Sequence, residues 1–184
     1  MREIDVEQTK GRCDEIQAYL KYYEELGAPL VAEYSSDLDE KVTNIKGYMQ
    51  QIREYNLDFD VTSLQKIVID LSSCIYYTTE KLEKLKLMSD MSRIKYKNVY
   101  NNAYLDKQAG AKLEDRKYTA DQLRAIAEEE ALEDNLVNFI YERASAVLAS
   151  KLDAAREVLK ACSKCLSAQI QSMSTFGAAS RYDR

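Results

Sequence analysis

At 184 residues, with one Pro, five Gly and no His, the chain has room for one domain and few places to turn. Its net charge is −5, and 31% of its residues are charged, as solvated helix faces require. Nothing is apolar for eighteen residues in a row, which excludes a membrane-spanning helix, and the missing His removes the commonest general base near neutral pH.

The first helix is expected from about Asp5 to Leu26, with Ile16, Leu20 and Tyr23 on one face. Gly27 reads as its C-cap, and Pro29 suits the first turn of a second helix. That second helix reaches about Tyr55, with Leu38, Val42, Ile45, Met49 and Ile52 at helical spacing. Residues 1–56 therefore read as an acidic N-terminal pair of helices. The segment from Asn56 to Asp60 is a break, after which Asp60 or Thr62 can cap the next helix.

A third helix is expected from near Ser63 to about Lys107. Leu64, Ile67, Val68, Leu71, Ile75, Thr78, Leu82 and Leu85 form a seam with steps of three and four. Gln108 to Lys117, with Gly110, reads as a loop. The fourth helix should run from Tyr118 to Met173, capped by Thr119 with Gln122 three residues on. At 1.5 Å per residue it would reach about 80 Å. Leu148, Leu152, Ala155, Leu159, Cys162 and Leu166 make its apolar seam, Gly177 marks its end, and 178–184 reads as a mobile tail. The expected fold is all-α: a long antiparallel helical hairpin or coiled coil over 60–177, with the helix pair before it. The fourth helix outlasts the third, so Leu148, Leu152, Leu159, Leu166 and Met173 are candidate oligomerisation residues. The N-terminal helices could instead fold back and cover them.

The first residues lack the apolar core of a signal peptide, and a cytoplasmic protein with reduced thiols is expected. Cys162 and Cys165 form a CxxC inside a helix, with no second CxxC and no His to complete a zinc site. They read as packing residues, as do Cys13 and Cys74. No GxxxxGK[ST], GxGxxG or GxSxG occurs, so neither enzyme chemistry nor a cofactor is expected.

The charge is uneven. Residues 1–60 hold seven basic and fourteen acidic residues, a net of −7, whereas 81–117 hold ten basic and five acidic, a net of +5. Tyrosines thread that basic zone. At 100° per residue, Arg93, Tyr96, Lys97, Tyr100 and Tyr104 share a stripe about 100° wide. The stripe should lie beside a core face made by Leu87, Met91, Ile94 and Leu105. Lys95 projects about 160° from Lys97. Cations can track phosphates while aromatic faces stack on unpaired bases. Tyrosines can also snorkel along a helix interface, and lysines can be plain solvated surface.

The stretch from Arg93 to Tyr104 resembles the UvsY family, the recombination mediators of T-even-like phages. Lys95, Lys97 and Tyr100 match its basic-aromatic element, K-x-[KR]-x-x-Y, on a long helix. Ala168, Gln169, Ile170, Gln171, Phe176 and Gly177 are similar to the family's Gln/Ile-rich ending. The resemblance covers roughly Asp60 to Gly177; the acidic pair before it is extra. It implies a non-enzymatic, oligomeric protein that binds single-stranded DNA through Arg93, Lys95, Lys97, Tyr96, Tyr100 and Tyr104. It further implies assembly through the last helix and the loading of a recombinase partner. The alternative is a helical assembly or interaction protein without nucleic acid, such as a scaffold, a virion component or an inhibitor of host defence. Exposed tyrosines would favour the first reading and buried tyrosines the second.

Overall fold

The computed structural model describes residues 6–55, 60–113 and 117–182, with side chains at 17, 21, 25–55, 60–113 and 117–173. Four helices and no strand occur among the described residues: α1 (Val6–Tyr55), α2 (Val61–Leu113), α3 (Ala120–Glu130) and α4 (Leu132–Tyr182). The all-α expectation holds. Expectations for Cys13, Ile16, Leu20, Tyr23 and 56–59 lie outside the described residues.

Where a pair of helices was expected, α1 runs unbroken for 50 residues with Pro29 inside it. Pro29 has no N–H to give the Glu25 carbonyl, but both residues are exposed, so water can serve that carbonyl. Gly27 is a buried position within the helix rather than a cap, and a Cβ built there would meet Ile140 Cγ2 at 4.0 Å, ordinary contact. Gly27→Ala is therefore expected to stabilise the protein by about 1 kcal/mol, the helix-interior difference between the two residues. A left-handed cap glycine would give the opposite sign in urea unfolding.

α2 begins at a real cap. The Asp60 carboxylate accepts from the Ser63 hydroxyl at 2.6 Å and the Ser63 N–H at 2.9 Å. These bonds, the hydroxyl first, hold its carboxyl below the ordinary value. A depressed folded-state pKa stabilises above the unfolded value, and that contribution is lost as pH falls through the folded one. The first turn of α2 is thus expected to lose amide-exchange protection below about pH 4. Asp60→Ala should abolish that pH dependence. At its other end α2 continues through Gly110 to Leu113, six residues beyond the expected stop at Lys107.

The expected Thr119 capping box is present. Thr119 Oγ1 accepts from the Gln122 N–H at 3.2 Å, and Gln122 Oε1 from the Thr119 N–H at 2.9 Å. The expected single last helix is interrupted at one residue, Ala131, whose φ of −93° and ψ of 4° leave the helical well. Its N–H still reaches the Ala127 carbonyl at 3.1 Å, so the ladder barely breaks. Gly177 does not end α4, which continues to Tyr182 through most of the expected tail.

Two compact units are drawn from across the sequence rather than along it. One takes Met1–Val31 and Glu83–Ala146. In it α2 and α4 are antiparallel, because Ser92 meets Asn138 at 3.4 Å while Lys95 meets the earlier Asp134. Its buried residues include Leu85, Ala103, Leu123, Ala127 and Ala144.

The other unit takes Ala32–Leu82 and Val147–Arg184. It buries Leu38, Ile45 and Ile52 of α1, Leu64, Leu71 and Leu82 of α2, and Leu148, Leu152, Ala155 and Cys162 of α4. These are the residues whose helical spacing singled them out. Desolvation pushes the Cys162 and Cys74 thiols above their ordinary value. A polar contact links α1 to α4 at the edge of this core. Ser35, fully buried, donates to Asp39 at 2.7 Å, and Lys151 of α4 meets both the Ser35 hydroxyl at 3.0 Å and the Asp39 carboxylate. Lys151 and Asp39 keep 35% and 47% of their exposure, so these bonds favour one axial register of α1 on α4 only weakly.

Candidate nucleic-acid interface

The phase of α2 decides what its basic zone presents. From Leu64 to Leu85 the inward residues recur in steps of three and four. Extending those steps lands on Ser89, Ser92, Tyr96, Val99 and Ala103, all buried or half-buried. The inward positions of this stretch are thus filled by Ser89, Ser92 and Tyr96 rather than by its leucines. Leu87, Met91, Ile94 and Leu105, expected on the core face, point away from it and are 59%, 62%, 58% and 58% exposed. The expected arrangement is inverted: the aromatic half of the stripe lies inward and the apolar row lies in water.

Tyr96, Tyr100 and Tyr104 are each half-buried. The rings of Tyr96 and Tyr100 lie 6.3 Å apart at 49°, a tilted pair within the separation at which aromatic rings attract. Each keeps only part of its face, so they do not form a free platform for three bases.

The cations stand outside. Seven on α2 between Lys84 and Lys112 are exposed: Lys84, Lys86, Arg93, Lys95, Lys97, Lys107 and Lys112. Four have carboxylate partners: Lys86 on Glu83 at 2.8 Å, Arg93 on Asp90 at 2.7 Å, Lys95 on Asp134 at 2.7 Å and Lys107 on Glu130 at 3.0 Å. Hydrogen bonding to Asp134 and to Glu130 holds the Lys95 and Lys107 ammonium groups above their ordinary value. Such exposed pairs are weak in water, so a phosphate can displace the carboxylates. Lys84, Lys97 and Lys112 have no ion pair among the described residues.

The candidate oligomerisation residues divide. Leu148 and Leu152 are fully buried inside their own unit and cannot serve an intermolecular seam. The reason is that α1 folds back: its Leu38, Ile45 and Ile52 are buried in the same unit. Leu159 and Leu166 are half-buried, and only Met173, with its neighbour Ile170, remains exposed.

Two features escaped the reading of the sequence. One is the Ser35–Asp39–Lys151 contact, whose only trace is a Ser and an Asp four apart beside buried Leu38. The other is an open groove of about 340 Å³ floored by Ile45, Ile67 and Leu71 and rimmed by Lys41, Lys66 and Asp70. Lys41 and Asp70 approach to 3.9 Å there. Among the described residues no three carboxylates or thiols converge as a metal ion would require, and no helix is long and apolar enough to cross a membrane. No family model, curated protein or solved structure matches the chain.

Proposed function

We propose that this chain is a non-enzymatic, self-associating helical accessory protein that takes single-stranded DNA on the outer cations of α2. The observation that carries it is the cluster of seven exposed cations from Lys84 to Lys112, spread around α2, on a chain that is otherwise acidic. Phosphates, not stacked bases, lead the contact, because Tyr96, Tyr100 and Tyr104 are half-buried. Arg93, Lys95 and Lys97 each exchange a carboxylate or water for a phosphate oxygen. The resemblance to the UvsY family extends the proposal to loading a recombinase in a host cytoplasm.

The experiment is a competition titration of the parent protein with labelled oligo-dT against unlabelled duplex. Salt-sensitive binding that duplex displaces poorly supports the reading, and no salt-sensitive binding to oligo-dT ends it. The second reading is a helical interaction protein without nucleic acid, which the exposed apolar row on the same helix favours. It predicts a stable protein complex and no shift with oligo-dT.

A further inference from the structure

We infer that two copies of this chain pair along the outer face of α2, in parallel and in register, rather than along α4. The row Leu87, Met91, Ile94 and Leu105 has steps of four, three and eleven, and Asn98 and Asn101 fill its remaining positions. That is the 3.5-residue spacing of a helix that packs on a second helix. All six side chains are exposed, directly opposite the face that carries Leu85, Tyr96 and Ala103. Apolar side chains in single file at this spacing are more than the scattered exposure a monomer tolerates.

The occupant follows from the polar residues. In parallel register Asn98 meets Asn98 of a second copy, where paired amides satisfy one another and fix register. Asp90 on one flank comes level with Lys95 of the second copy on the other, opposite charges at the spacing that selects partners. Both side chains keep more than half of their exposure, 59% and 71%, beside their own partners Arg93 and Asp134. The antiparallel register that retains Leu87 on Leu105 sets Lys97 near Lys97 and Lys95 near Lys95, like charges at the centre. α4 offers less: Leu148 and Leu152 are consumed by the core, leaving Ile170 and Met173. The inference rests on the self-association in the proposed function and not on DNA binding. It brings two sets of α2 cations side by side.

The test is sedimentation of the full chain over a concentration series. A dimer is expected. Leu87→Lys with Ile94→Lys should weaken association at least tenfold with helicity unchanged, since neither residue is in the core. Ile170→Lys with Met173→Lys should leave the dimer intact. Asn98→Cys should form a disulfide-linked dimer on mild oxidation, beyond any formed by the parent. A parent that stays monomeric, a dimer that the α2 pair leaves unchanged, or an Asn98→Cys chain that does not cross-link overturns the inference. Oligo-dT binding, read separately, can survive each of those outcomes.

Discussion

Removing Arg93, Lys95 and Lys97 together, each to Ala, should flatten the logarithmic salt dependence of oligo-dT binding by about two units. Each phosphate contact to a single strand releases condensed counterions and contributes about 0.7 to that slope. The ion pairs to Asp90 and Asp134 temper the loss, since those carboxylates must be displaced before phosphate enters. Affinity should fall alike for every base sequence. Tyr100→Ala should behave differently. Its ring is half-buried against Tyr96, so the change should lower the unfolding midpoint and leave the salt slope where it was. A Tyr100→Ala chain that keeps full stability but loses binding would show that the ring stacks on bases.

Leu148→Ala should destabilise the chain by about 2–5 kcal/mol, the range for emptying a fully buried leucine site. Urea unfolding would report it as a lower midpoint at nearly constant slope. Molecular mass at native conditions should not change, because Leu148 faces its own core. A chain that stays stable but loses association would put Leu148 in an interface and contradict the burial. The same contrast separates Leu152 from Met173, at 0% and 63% exposure on one helix.

Much of the fold was legible because apolar spacing carries phase. The steps from Leu64 to Leu85, from Leu38 to Ile52 and from Leu148 to Cys162 name buried or half-buried residues throughout. Thr119 with Gln122 was legible because a capping box satisfies its donors within four residues, with no help from tertiary structure. Gly27 and Pro29 misled for the converse reason. They are punctuation in local propensity, but α1 is buried at Gly27 itself and again from Val31 onward, and packing overrides propensity. Gly177 likewise lies inside α4 rather than past its end.

The candidate interface was half legible. Charge counting found the cations, which lie outside as expected. The tyrosines were placed by assuming that Leu87, Met91 and Ile94 turn inward because they are apolar. The steps of three and four from Leu64 to Leu85 extend to Tyr96, and the buried face follows that phase rather than the apolar character of Leu87, Met91 and Ile94. The cover over Leu148 and Leu152 depends on α1, more than a hundred residues away in sequence, and no local pattern encodes that. The mutual pairing of Lys95 with Asp134 is hidden for the same reason.

Lysine protection tests the central claim most directly. The parent protein would be acetylated briefly with and without oligo-dT, and each lysine read by mass spectrometry. Protection is predicted at Lys84, Lys95 and Lys97 on α2, with Lys41 and Lys66 at the α1–α2 groove unchanged. Protection confined to Lys41 and Lys66, or at no lysine while oligo-dT is bound, would contradict the assignment of the strand to the cations from Lys84 to Lys112.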